Sequence, residues 1–224
     1  MIVVIANVLS ESDLQESKSV LASASFIHGR ETAGWHAALV KDNLQADPQA
    51  LGVRALQQRI ASLLHANALF ALAARPRALS PLLFSRTAAG MGGYGSHVDD
   101  AVMGREPALR SDLSFTLFLG TPGEYQGGEL VIESSAGEQA FKPEAGSLVL
   151  YPASSLHRVE QVRAGDRLVA VGWVQSLVRD PAQRELLFTL DSARRALFER
   201  EGKSPEFDQI SLCVANLMRM WAEL

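Results

Sequence analysis

Residues 112–134 read DLSFTLFLGTPGEYQGGELVIES. An apolar run rich in Phe and Leu ends at Gly120, the segment TPGEYQGG carries turn chemistry, and a second apolar run, GELVIES, follows. Short runs of this kind, bounded by Gly and Pro, are strands rather than helices. The pattern extends outward to LLFSRTA at 82–88, GSLVLYP at 146–152 and DRLVAVGWVQS at 166–176. Regularly spaced short strands predict an antiparallel sandwich or barrel, not a parallel α/β sheet.

Helical patterns flank these strands. MIVVIANVLS opens the chain as a strand, and Ser10 with Asp13 resembles a capping box. A helix over Asp13–Ser25 follows, with Leu14, Val20, Leu21 and Ala24 near one face. GRETAG (29–34) reads as a loop. From Pro48 to Ala74, Leu51, Ala55, Leu56, Ile60, Leu63, Leu64 and Phe70 recur at three- and four-residue intervals, and Pro76 ends the helix. Beyond residue 180, Pro181 suits a first helical turn. Leu186, Leu187, Leu190, Ala193 and Leu197 then form a stripe. EGKSPE is a loop, and a last helix carries Ile210, Leu212, Val214, Leu217, Met218 and Trp221. The expected fold is α+β. Residues 1–179 form one domain, helix-rich over 1–83 with a β-core over 84–179, and 180–224 add a helical extension packed on that core.

Bulk composition narrows the function. The 224 residues carry a net charge of -4, so no nucleic-acid or membrane-surface partner is expected. No apolar run approaches the roughly 20 residues of a membrane span. The apolar start lacks a basic flank and is not a signal peptide, so the expected compartment is the cytoplasm. One cysteine, Cys213, excludes an internal disulfide and a cysteine-rich zinc site. A metal must therefore use His, Asp or Glu.

Such a set exists. YGSHVDD (94–100) holds His97 and Asp99 two residues apart, and on an extended chain such residues project to one side. SSLHRVEQVRAGDRL (154–168) supplies His157. Two histidines and one carboxylate on one face leave the opposite face open, which is the facial arrangement of non-heme iron(II) oxygenases. Ten residues beyond His157, after a turn read at Ala164–Gly165, comes Arg167. It shares a strand face with Val169, Val171 and Trp173. A guanidinium on an apolar face is costly to bury unpaired, and a carboxylate pairs with it through two parallel hydrogen bonds. His97, Asp99 and His157 are thus candidate catalytic metal ligands, and Arg167 is a candidate anchor for an acidic co-substrate. Competing motifs fail. GMGGYG lacks the Gly-Lys-Ser/Thr of a phosphate loop, and Ser154 and Ser155 lack a nucleophile elbow. His28, His36 and His65 have no partner at ligand spacing and read as structural. Arg86, Asp100, Met103 and Arg105 are candidates for the site entrance, and Pro107–Arg110 for a lid.

At these residues the sequence resembles the bacterial PKHD-type hydroxylases, relatives of prolyl and lysyl hydroxylases. The matching segments are GMGGYGSHVDDAV, LRSDLSFTLFL, YQGGELVIE, AGSLVLYPASSLHRV and GWVQSLVRD, with GRETAG, VKDNLQ and NLMRMWAE extending the similarity over nearly the whole chain. The resemblance implies a double-stranded β-helix (jelly-roll, cupin-like) core with flanking N- and C-terminal helices. It implies iron(II) on His97, Asp99 and His157, 2-oxoglutarate held by Arg167, dioxygen as oxidant and L-ascorbate as reductant. The implied reaction hydroxylates an unidentified small-molecule or peptidyl substrate while 2-oxoglutarate is decarboxylated to succinate and carbon dioxide, with a link to iron uptake. Two departures stand out. Relatives carry Asn-Arg-Tyr where this chain has Ser85, Arg86 and Thr87, and Asn where it has Asp100. The Tyr near the Thr87 position helps hold 2-oxoglutarate in related hydroxylases. Two alternatives to a hydroxylase are a non-catalytic module that binds and senses iron and the keto acid, and a metal-dependent isomerase or hydrolase on the same barrel. The helical tail offers a face for a homo-oligomer.

Overall fold

A computed structural model describes residues 1–32, 39–104 and 108–224. His36, Arg105, the last two residues of GRETAG and Pro107 of the expected lid lie outside the described residues.

The chain begins with β1 (Val3–Ile5) and α1 (Glu11–Ser23). The capping box is present. Asp13 N–H donates to Ser10 Oγ at 3.2 Å, and Ser10 N–H donates to Asp13 Oδ2 at 3.0 Å. The helix begins two residues earlier than the apolar stripe suggested, because the cap and not the stripe fixes its start. Three short strands follow: β2 (Phe26–His28), β3 (Lys41–Asp42) and β4 (Leu44–Ala46). The expected Pro48–Ala74 helix is two helices, α2 (Val53–Ala66) and α3 (Ala68–Ala74). Asn67 divides them. Its extended backbone ends α2, and its side chain accepts from Phe70 N–H to cap α3. Leu51, expected on the buried stripe, is exposed ahead of α2.

The β-rich region contains β5 (Pro76–Leu79), β6 (Leu83–Ala88), β7 (Gly93–His97), β8 (Val102–Met103), β9 (Leu109–Arg110), β10 (Leu113–Phe118), β11 (Tyr125–Gly127), β12 (Leu130–Ser134), β13 (Gly137–Phe141), β14 (Leu148–Pro152), β15 (His157–Val159) and β16 (Val162–Ser176). The described part of the expected lid is thus β9, paired with β8. One nine-stranded sheet runs β1-β14-β10-β16-β6-β4-β2, with β5 and β11 also on β16. A five-stranded sheet runs β13-β12-β15-β7-β3. Every pairing among the described residues is antiparallel. Two facing antiparallel sheets make the jelly-roll core.

Two turn readings are corrected. Tyr125–Gly127 is a strand, and Ala164–Gly165 lies inside β16 opposite Gln126 and Tyr125. Gly165, at φ +72°, bends β16 without breaking it, because β11 supplies its ladder partners. The apolar seam between the large sheet and α1–α3 is the main core, with Phe70 edge-on to Phe115 at 6.0 Å.

The chain closes with α4 (Pro181–Glu201) and α5 (Pro205–Trp221). Pro181 follows the capping Asp180, whose side chain accepts from Ala182 and Gln183 N–H. Leu187 and Val214 bury against Val178 between the two helices. Leu212, expected on the core stripe, is exposed. Asp191 of α4 pairs with Arg75 at the C-cap of α3, which ties the hairpin to the body.

Candidate metal and co-substrate site

Antiparallel pairing of β7 with β15 sets His97 directly opposite His157. Backbone geometry at Gly93 permits that register. Its φ is +79°, and a Cβ there would sit 2.7 Å from the Val159 carbonyl oxygen. The strand ends at His97, so Asp99 stands beyond it instead of on it. One ligand atom from each of His97, Asp99 and His157 lies within 4.8 Å of the others. The i, i+2 reasoning paired two residues that the structure does bring together, although the chain leaves the sheet between them.

Each imidazole is oriented by its own backbone. Nδ1 of His97 lies 2.8 Å from the Gly95 carbonyl, and Nδ1 of His157 lies 3.1 Å from the Ser155 carbonyl. A carbonyl only accepts, so each Nδ1 carries a proton, which leaves Nε2 as the ring nitrogen available to a metal. Burial, with His157 alongside, pushes the His97 pKa down to about 4. Its ring is therefore neutral near pH 7, as a metal ligand must be. Ser114 Oγ donates a short hydrogen bond to Asp99 Oδ2 and fixes the carboxylate. Tyr94 stacks on His97 at 3.6 Å, and Tyr151 sets its edge against His157 at 5.0 Å. Two imidazoles and one carboxylate, with the only cysteine exposed on α5, are a donor set that fits iron(II).

Arg167 lies on β16 opposite Thr87 of β6 and is 3% exposed. Its Nε donates to the Gly128 carbonyl at 2.8 Å. Among the described residues no carboxylate forms an ion pair with it. Burial pushes the guanidinium pKa down, and nearby Tyr125, Tyr151 and Glu129 pull it back up. A buried, charged fork with one carbonyl partner is a receptor for an anion. Arg167, Val169, Val171 and Trp173 all line the cavity that also holds His97, Asp99 and His157.

Other expectations divide. Asp100 and Met103 line this cavity. Arg86 does not. Alternation along β6 turns Leu83, Ser85 and Thr87 inward and Arg86 outward, where it covers the Phe26 ring at 4.4 Å. His28 pairs with Asp42 at 3.4 Å, away from the metal ligands. Sequence reasoning missed Lys41, Asn43 and Gln45, which also line the cavity. The available signal was the alternation in VKDNLQ, which puts Lys41, Asn43 and Gln45 on one face without saying that this face is inward.

Fold and side-chain geometry together define a 2-oxoglutarate- and iron-dependent oxygenase, and residues 82–175 match the family model of the 2OG-Fe(II) oxygenase superfamily. Residues 181–223 match a second model, the PKHD-type hydroxylase C-terminal domain. The chain is 55% identical over 223 residues to a PKHD-type hydroxylase of Acaryochloris marina and 52% identical over 223 residues to one of Gloeothece citriformis, with all of both chains covered in each case. The chain belongs to the PKHD-type hydroxylase family. It is an oxidoreductase whose cofactor and co-substrate are iron(II) and 2-oxoglutarate and whose reaction takes dioxygen and an organic substrate. Among solved structures, a Pseudomonas putida prolyl-4-hydroxylase aligns with a TM-score of 0.53 at 22% identity, covering 78% of this chain and 92% of that one. A Trichoplax adhaerens prolyl hydroxylase aligns with a TM-score of 0.56 at 16% identity, covering 83% and 86%. Both support the fold. Among the described residues no helix is long and apolar enough to cross a membrane.

Proposed function

We propose that His97, Asp99 and His157 hold the iron, that Arg167 takes the distal carboxylate of 2-oxoglutarate, and that the enzyme hydroxylates a C–H bond of a small-molecule or peptidyl substrate. The carrying observation is the pair of imidazoles opposed across β7 and β15, each with Nδ1 tied to its own i−2 carbonyl. Iron(II) and 2-oxoglutarate, when bound, supply the dioxygen activation that ends in succinate, carbon dioxide and a hydroxylated product.

The chain's own residues supply position and surroundings. The imidazoles and Asp99 leave one face open, Ser114 holds the carboxylate, and the walls around Arg167 exclude water. Arg167 Nε is committed to Gly128, which leaves the terminal nitrogens of the fork for a carboxylate.

Two further parts of the reading follow from the resemblance: L-ascorbate serves as reductant, and the activity is linked to iron uptake. The protein works in the cytoplasm, as the sequence composition suggests. Residues 1–179 form the dioxygenase domain, and 180–224 its helical extension, packed through Asp191 on Arg75. Exposed Leu212 and Met220 on α5 give a second copy apolar surface for a homo-oligomer.

The test is stoichiometric. Purified protein with iron(II), 2-oxoglutarate, ascorbate and air should release succinate, and candidate substrates should accelerate that release with one product per succinate. His97→Ala should release none. Succinate release equal in the wild type and His97→Ala would overturn the assignment.

A further inference from the structure

The C-terminal extension meets the β-core at a point that leads to the candidate metal ligands. Beyond α5 the chain lies against the end of β16, where Ala222 bridges Val178 and Glu223 N–H donates to the Leu177 carbonyl at 2.8 Å. The Glu223 carboxylate thereby reaches β9, and its Oε2 accepts from Arg110 Nη1 at 2.7 Å. The other two nitrogens of that guanidinium close on Asp112, Nε to Oδ1 at 2.8 Å and Nη2 to Oδ2 at 3.0 Å. The Asp112 side chain is only 7% exposed, and it also accepts from Ser176 N–H at 2.8 Å. A guanidinium that takes one carboxylate with two bonds and another with the third is held in a single orientation.

Arg110 and Asp112 bracket the start of a short strap. Between them, Ser111 N–H donates to the Ala101 carbonyl at 3.0 Å, and Ser111 Oγ donates to the Asp100 carbonyl. Two residues beyond Asp112, Ser114 Oγ donates to Asp99 Oδ2. Residues 111–114 thus hold 99–101 at three successive positions. The stretch they hold lies between the end of β7 and the start of β8, so these bonds stand in for a sheet ladder. Asp99 and Asp100 of that stretch line the cavity. The pairing of β10 fixes the strap at its Ser114 end, and the Arg110 fork fixes it at the other.

We infer that Arg110 is a positioning residue for the metal site: gripped by Glu223 and Asp112, it holds the strap of residues 111–114 that sets Asp99. The C-terminal extension, through Glu223, therefore takes part in building the site and does not merely cover the core. The inference rests on the reading of Asp99 as a metal ligand proposed above. Arg110 itself does not line the cavity and acts only through the strap.

The test uses the full-length chain. Arg110→Lys keeps the charge and loses the fork, and Glu223→Gln keeps the shape and loses the charge. In metal-free protein, hydrogen exchange over residues 97–104 should be at least about threefold faster in Arg110→Lys than in the wild type. Competition for iron(II) with a metallochromic chelator gives the second reading. The dissociation constant should rise about three- to tenfold in Arg110→Lys and about twofold in Glu223→Gln, less than on losing Ser114 itself. In a Ser114→Ala background, Arg110→Lys should add less than about twofold, because both act through Asp99. A role in stability alone would lower the denaturant midpoint and leave the exchange over 97–104 and the iron affinity of the folded protein unchanged. That result, or effects of Arg110→Lys and Ser114→Ala that multiply in full, would overturn the inference. A wild type that binds no iron(II) would instead refute the reading of the metal site, and the exchange measurement, made without metal, would still decide whether Arg110 holds the Asp99 segment.

Discussion

His97 and His157 are cross-strand partners, with ring centroids 4.2 Å apart and Nδ1 of each ring on the carbonyl two residues before it. The symmetry means that the ladder itself, not a loop, sets the distance between two proposed ligands. Replacing either ring by Ala should abolish iron binding while leaving the far-ultraviolet circular dichroism unchanged. Retained stoichiometric iron in His157→Ala would count against the assignment.

Ser114 acts on the metal through Asp99. Its hydroxyl holds Asp99 Oδ2 from β10, on the sheet opposite the two histidines. Ser114→Ala should raise the iron(II) dissociation constant by about 10- to 100-fold, as loss of an outer partner of a ligand does. Competition with a metallochromic chelator measures it.

Gly128 shapes the anchor. Its carbonyl receives Arg167 Nε, its φ is +70°, and a Cβ there would approach Arg167 Cδ to 2.9 Å and Tyr125 Cε2 to 3.1 Å. Gly128→Ala should cost roughly 1–3 kcal/mol of stability from the left-handed backbone alone. It should also weaken 2-oxoglutarate binding by displacing the guanidinium. Denaturant melts and a 2-oxoglutarate titration separate the two effects.

Asp13 gives a pH-dependent prediction away from the site. The Ser10 hydroxyl, and then Arg59, hold its carboxyl below the usual 3.8. The folded pKa is the lower one, so the unfolded chain binds the proton more readily. The stabilisation is complete well above pH 3.8 and is lost as pH falls through the folded value. Asp13→Ala should cost about 1 kcal/mol at neutral pH, through loss of its reciprocal capping-box bond to Ser10 N–H and of its Arg59 partner. The difference from wild type should shrink in urea melts below about pH 4.

Much of this was legible in the sequence. The strands at 82–88, 112–120, 128–134, 146–152 and 166–176 were bounded by Gly and Pro, and all five appear. Arg167 faces the cavity because β16 carries strong apolar alternation, and His97, Asp99 and His157 were found by ligand type and spacing. What was missed had weak local signals. β15 is three residues long, and β11 consists of turn-type residues that pair only because β16 passes beside them. Lys41, Asn43 and Gln45 gave no site signal because polar alternation does not reveal which side is wet. Asn67 split a continuous apolar stripe through its side-chain cap, which periodicity does not register.

The most direct test of the site is anaerobic titration of 2-oxoglutarate into protein loaded with one equivalent of iron(II). A visible charge-transfer band should appear and saturate at one 2-oxoglutarate per chain. It should be absent in His97→Ala, and in Arg167→Ala it should need at least about tenfold more 2-oxoglutarate while iron affinity changes little. A folded, iron-loaded wild type that gives no band, or an Arg167→Ala protein that titrates like the wild type, would contradict the assignment of these four residues.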